Sequence, residues 1–322
     1  MSRHVRRAMF AGSWYPGTEP GLKDTIEKCF LSEQGPGELP AHDFWKDNKG
    51  EVMAIISPHA GYAYSGGVAS NGYLEIAKDG LPDTIVLLGS HGGFSGIYIQ
   101  TEGAWESPLG TTEIDEELAT KIASNSEYIE EDNKYMLSPN ITDNTFELQL
   151  PFIQYLSTSI KLVPIAVGSR DAKKLKAAAG DLSDALKDFF DNSLNNTKKI
   201  VIIASTDLTH YGPRFMFAPV KGKPSKEQNE WVRNNDKKFI DVAINLSSKD
   251  TTAILDQVMK ERNVCCPGAI ILGLECIKQL SDKSVIKYNV QLLRQATSFD
   301  IAPDSWGSFS AVGYASIIIK KE

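Results

Sequence analysis

Apolar residues along the chain alternate between two patterns. Short, continuous runs rich in β-branched residues occur at Val52–Ile56 (VMAII), Thr84–Leu88 (TIVLL), Ile160–Val167 (IKLVPIAV) and Lys199–Ala204 (KIVIIA). Runs of this length without polar alternation suit strands buried on both faces of a parallel sheet. Pro164 weakens the third run or places it near an edge, because proline donates no ladder bond. Between and after these runs lie helical patterns at Gly67–Ala77, Glu116–Ser124, Thr145–Leu156, Ala172–Phe190, Lys226–Leu246 and Ala269–Leu280. Phe309–Ile319 reads as a closing strand. Gly96–Ile114 alternates weakly and carries Gly103 and Pro108-Leu109-Gly110, the signature of a hairpin or strand excursion. The alternation predicts an α/β fold: a layered, mostly parallel sheet flanked by helices, with right-handed crossovers. There is no internal repeat, and the polar stretch Ser32–Gly50 reads as a surface loop rather than a linker. Residues 1–322 are therefore expected to form one domain.

Composition narrows the function. The chain is 42% hydrophobic and 23% charged, with a net charge of -7. That balance opposes sequence-independent nucleic-acid binding, which lays lysine and arginine along phosphates, and docking on an anionic membrane. No apolar run approaches the roughly 20 residues of a bilayer span. The N-terminal apolar segment is broken by Gly12, Ser13 and Pro16, unlike a signal peptide, so a cytoplasmic location is expected. The four cysteines, Cys29, Cys265, Cys266 and Cys276, form no CxxC and read as reduced thiols. Cys29 and Cys276 sit in apolar helical patterns, as core residues do.

The chain has five histidines, and three share one context. His59 follows the first strand in SPHAG, His91 follows the second in GSHGG, and His210 follows the fourth in STDLTHYG. Ligands bind where loops leave the carboxyl ends of parallel strands. Three imidazoles there supply metal ligands or acid–base groups. Cys265, in NVCCPG before a helical pattern, gains thiolate character from a helix N-terminus. The expected site therefore joins His59, His91, His210 and Cys265. Asp207 either ligates, orients an imidazole or caps a turn. Glu147 opens an apolar helix, where the helix dipole favours a carboxylate in any case. GxGxxG, P-loop and GxSxG signatures are absent.

Five ordered segments carry a resemblance: AGSWYPG at Ala11–Gly17, SPHAGYAYSG at Ser57–Gly66, TFELQLPF at Thr145–Phe152, STDLTHYGPRF at Ser205–Phe215 and SFSAVGYA at Ser308–Ala315. Together they resemble the Memo family over nearly the whole chain. The resemblance implies a fold similar to the class III extradiol dioxygenases. It also implies a pocket holding Fe(II) or copper through His59, His91 and Cys265, with Asp207 and His210 flanking as catalytic groups. The family's naming suggests a radical-SAM or AMMECR-type protein as partner. The chain departs from the family pattern at three points. Gly89-Ser90-His91 is one residue shorter than the usual Gly-Pro-x-His. Asn144 replaces a histidine and cannot relay protons. Cys266 follows Cys265 in place of glycine, adding a thiol that could bind metal or form a redox pair.

These readings point to metal-dependent redox or oxygenase-like chemistry on a small molecule. The alternative is a non-catalytic adaptor that uses the same cleft for metal or peptide.

Overall fold

The computed structural model describes residues 4–41, 49–190, 198–303 and 309–322. Residues 42–48 of the expected surface loop lie outside the described residues, as do residues 1–3 and Ser308. Among the described residues, twelve strands occur in chain order: β1 Val5–Arg6, β2 Val52–Ser57, β3 Thr84–Gly89, β4 Ile97–Ile99, β5 Ala104–Ser107, β6 Gly110–Glu113, β7 Glu130–Glu131, β8 Lys161–Val167, β9 Ile200–Ser205, β10 His210–Tyr211, β11 Tyr288–Thr297 and β12 Ala311–Lys321. The large sheet runs β10-β12-β2-β9-β3-β8-β4-β7, with β11 pairing β12. Its centre, β2-β9-β3-β8, is parallel. The flanks turn antiparallel where β12 meets β2 and β4 meets β8. β1, β5 and β6 form a small second sheet, in which β5 and β6 make the expected hairpin with Ser107 opposite Gly110.

Every residue of β2, β3 and β9 is buried. Such strands need a helix on each face. Gly72 in the helix Tyr62–Lys78 lies against Ile55, and Gly273 in the helix Pro267–Ser284 lies against Leu88 and Ala204. Ile55 aligns with Ile203 while Ile56 aligns with Ala204. Successive strand residues point to opposite faces, so the two helices cover opposite sides. Each isoleucine, leucine or valine removed from water between them contributes about 1.5–3 kcal/mol.

Four expectations change in detail. The helical pattern Thr145–Leu156 splits into Asn144–Glu147 and Leu150–Leu156, because Pro151 lacks an N–H and would clash with the carbonyl four residues back. The helix expected from Gly67 starts at Tyr62. Gly66 lies inside it as a contact point, where a Cβ would meet Cys29 Sγ at 2.4 Å. Pro164 sits in β8 beside β3, one strand in from the short β4. Its carbonyl accepts from Gln100 N–H just past the end of β4. The N and C=O of a strand residue point the same way, so the missing donor faces this frayed side and costs no bond to β3. β11 was not expected: YNVQLLRQAT is only partly buried and bulged near Leu292 and Arg294, so its apolar pattern is weak.

Candidate metal centre

β2, β9 and β3 are neighbours, and their carboxyl ends stand side by side, with Ser57 opposite Ser205 and Leu88 opposite Ala204. The chain therefore delivers His59, Asp207 and His91 to one edge. Ser90 turns His91 inward through a left-handed backbone, φ 95°, and its N–H donates to Thr145 Oγ1 at 2.8 Å. A non-glycine residue held in this region is strained and persists only when its surroundings fix it. Cys265 and Cys266 reach the same edge as the residues that open the helix Pro267–Ser284. Cys265 N–H donates to the Asp207 carbonyl at 3.0 Å, and Cys266 N–H donates to Thr206 Oγ1 at 3.2 Å.

Among the described residues, His59, His91, Cys265 and Cys266 each offer a donor atom, all within 4.8 Å of one another. Cys265 Sγ lies 3.3 Å from His59 Nε2 and 3.6 Å from Cys266 Sγ, and Cys266 Sγ lies 3.7 Å from His91 Nδ1. The two rings stand at 90° with centroids 5.0 Å apart. Hydrogen-bond accounting fixes which nitrogen of each ring faces the sulfurs. Ser205 Oγ donates its one proton to the Thr145 carbonyl at 2.6 Å, so at 2.9 Å from His59 Nδ1 it accepts. Asn144 Nδ2 donates to the His59 carbonyl at 3.1 Å, which turns Asn144 Oδ1 toward His91 Nε2, also at 3.1 Å. The protons on His59 Nδ1 and His91 Nε2 are thus held, and the other nitrogen of each ring faces a thiol. Anchoring one imidazole nitrogen in this way is how ligating histidines are oriented.

The electrostatics follow from this packing. Burial alone would raise the Cys265 thiol, but the hydrogen bond from Cys266 and the neighbouring His59 and His91 outweigh it and hold Cys265 well below the usual thiol range. Asp207 N–H also donates to Cys265 Sγ at 3.2 Å. Burial and the adjacent Cys265 push Cys266 well up. Burial opposes protonation of both histidines. For His91 the hydrogen bond and charge of Cys265 prevail and raise it to about 9. For His59 the charges of Cys265 and Asp207 prevail and raise it. These shifts favour thiolate at Cys265 and protonation of the two rings, and a metal ion would compete with protons for the facing nitrogens.

The other sequence candidates fall around this cluster. Asp207 is buried, accepts from His59 N–H at 2.8 Å, and ties the Cys265 backbone to the sheet edge. Burial raises its carboxyl above the usual range, and His59 offsets this in part. His210 stands outside the four-donor group, on β10, with Nδ1 donating to the Leu208 carbonyl at 3.1 Å and its ring edge-on to Phe215. Glu147 lies away from the donors: its Oε1 accepts from Met9 N–H, Phe10 N–H and Tyr15 Oη–H, so it pins the N-terminal segment. Ser205, Gln149 and Thr206 were not legible as site residues, because serine, glutamine and threonine near strand ends carry no distinguishing pattern. A cleft of about 410 Å³, walled by Trp14, Tyr64, Phe215 and Tyr314, opens onto His91 and His210. A second cleft of about 390 Å³, lined by Arg170 and Arg262, reaches His210 and Cys265 from another side. All four cysteines are free thiols. Among the described residues, no helix is long and apolar enough to cross a membrane.

Fold and site together define an α/β protein with a His/Cys group able to hold a metal ion at the carboxyl edge of its parallel strands. The family described as Memo-like protein matches residues 6–318, and the chain belongs to the Memo family. It is 31% identical over 320 residues to a MEMO1 family protein of Methanopyrus kandleri, covering 98% of this chain and 99% of that one. It is 32% identical over 315 residues to a MEMO1 family protein of Methanothermobacter thermautotrophicus, covering 97% and 99%. An uncharacterized protein of Escherichia coli K12 is similar in structure with a TM-score of 0.49 and 13% identity, over 83% of this chain and 99% of that one.

Proposed function

We propose that this Memo family chain is a metal-dependent redox protein in which His59, His91 and Cys265 hold iron or copper beside a cleft for a small molecule. The carrying observation is that two imidazole nitrogens and the thiols converge within 4.8 Å, with the far nitrogen of each ring anchored. The donor set fits, since imidazole suits iron and copper and thiolate suits copper. A bound ion of either kind supplies one-electron chemistry and Lewis acidity. Ser205 and Asn144 orient the ligands, and Asp207 locks the Cys265 loop to the His59 loop. Trp14, Tyr64, Phe215 and Tyr314 give the cleft an aromatic wall for a small molecule. His210, with Nδ1 committed to the Leu208 carbonyl, moves a proton at Nε2.

The test is metal content by mass spectrometry on protein prepared without oxygen and loaded with Fe(II) or Cu(I), beside Cys265→Ala and His210→Gln. Near-stoichiometric metal that is lost in Cys265→Ala and retained in His210→Gln supports the site. Oxygen uptake across a panel of aromatic diols then separates the readings: an enzyme loses turnover in His210→Gln, whereas an adaptor shows none to lose. Failure of both metals to bind the unaltered protein overturns the proposal.

A further inference from the structure

The Cys266 thiol has no place in a centre of two histidines and one cysteine, yet it sits within it. Cys266 is fully buried, and its Sγ lies 3.6 Å from Cys265 Sγ and 3.7 Å from His91 Nδ1. A four-coordinate ion with metal–sulfur bonds of ~2.3 Å and metal–nitrogen bonds of ~2.0 Å spans tetrahedron edges of about 3.8 Å between sulfurs and about 3.5 Å between sulfur and nitrogen. Three of the six donor separations, 3.3, 3.6 and 3.7 Å, are close to such edges, and all six fall within 4.8 Å. Cys265 Sγ lies against His59 Nε2 and also interacts with His91, and Cys266 Sγ lies beside His91 Nδ1, so both sulfurs border the imidazoles. Cys266 borders the hydrophobic core, as Cys276 does, but it is the N-cap residue of the helix Pro267–Ser284, with its backbone held by Thr206 and its Sγ in the donor group.

We infer that Cys266 is a fourth metal donor, so that this chain presents two imidazoles and two thiolates in a tetrahedral set. The inference rests on the metal-binding reading above and adds a ligand to it. Its consequence is selectivity. Two sulfurs and four protein donors favour thiophilic ions that accept tetrahedral coordination, such as zinc or copper(I), over iron(II), which works with open positions and harder ligands. Binding releases the Cys266 thiol proton, and any proton carried by the facing imidazole nitrogens, to solvent or buffer, with no change of oxidation state.

The test counts sulfurs. X-ray absorption on the unaltered protein loaded anaerobically with zinc should show two sulfur and two nitrogen neighbours. Cobalt(II) loading should give thiolate-to-cobalt absorption that falls by about half in Cys266→Ser and by about half in Cys265→Ser. Zinc affinity should drop at least about tenfold in Cys266→Ser, and iron(II) affinity should drop less. One sulfur neighbour in the unaltered protein, or cobalt absorption and zinc affinity unchanged in a folded Cys266→Ser variant, overturns the inference and leaves the three-ligand centre standing. Failure of zinc, cobalt, iron and copper alike to bind the unaltered protein overturns both.

Discussion

Replacing Ser205 by alanine isolates the support of the centre from its ligands. Ser205 touches no sulfur, but its hydroxyl accepts from His59 Nδ1–H at 2.9 Å and from Gln149 Nε2–H at 2.9 Å, and donates to the Thr145 carbonyl at 2.6 Å. Gln149 keeps a second acceptor in the Pro58 carbonyl, so its loss is partial. His59 is buried, and its Nδ1–H loses its partner outright. An orphaned buried donor costs about 1–3 kcal/mol, so the substitution should destabilise the fold by about 2–3 kcal/mol. With nothing to hold its proton on Nδ1, the ring is free to take the other tautomer and to turn. Removing such an outer partner weakens metal binding by about 10–100-fold, equivalent to about 1.4–2.7 kcal/mol. Anaerobic competition with a chelator of known affinity measures the binding, and urea unfolding measures the fold. Ser316→Ala is the control: that serine is also buried, but its Oγ has no hydrogen-bond partner among the described residues, so its loss should leave both readings nearly unchanged. A Ser205→Ala protein that binds metal within threefold of the unaltered chain would refute the assignment of His59 Nε2 as the oriented donor.

Other parts of the structure make independent predictions. Glu147→Ala strips the acceptor from Met9 N–H, Phe10 N–H and Tyr15 Oη–H and should cost about 3–4 kcal/mol, with faster proteolysis of the N-terminal segment, whereas Glu147→Gln keeps an acceptor and should cost about 1 kcal/mol. Equal effects of the two in denaturant titrations would count against that role. Asp236 accepts from Thr209 N–H on one oxygen, while its other is buried without a partner, and burial raises its carboxyl from 3.8 to about 8. The folded state thus keeps a proton that the unfolded chain releases, so this group's contribution to stability falls as pH rises from 3.8 to about 8 and is flat above. Asp236→Asn should therefore raise the melting temperature at pH 8 and change it little at pH 4; a gain of the same size at both would contradict the assignment. Gly268→Ala places a Cβ 2.5 Å from the Ser169 carbonyl oxygen and 2.9 Å from that of Val167, both backbone. It should cost about 1–3 kcal/mol and weaken metal binding, because the helix that presents Cys266 must shift; unchanged stability and metal content would show that the helix start yields freely.

The amphipathic and continuous apolar patterns made the layered fold readable in advance. The helices Glu116–Ser124 and Ala172–Phe190 begin and end where their periodicity does, and β2, β3 and β9 fall on their apolar runs. Rare residue types at strand ends singled out His59 and His91, and a thiol before a helix singled out Cys265. β11 escaped because half its side chains meet solvent and a bulge breaks its alternation. His210 was expected at the same site, as a flanking catalytic group, because its sequence context matches that of the other two. It stands apart because three residues lie between Thr206 and it, enough to carry the chain past the strand end and into β10 beside β12.

What the sequence by itself determined is local: which segments bury both faces and which loops carry imidazole or thiol. These follow from side-chain chemistry and backbone sterics within a few residues. What only the tertiary structure decided is adjacency. The strand order β2-β9-β3 puts His59 and His91, 32 residues apart in sequence, on either side of Asp207. The helix Pro267–Ser284 then brings two sulfurs against them. Hydrogen bonds from Ser205 and Asn144, residues with no chemical signature of their own, choose which nitrogen of each ring faces those sulfurs. Strand order and ring orientation are set by the packing of distant segments, and no short-range pattern encodes them.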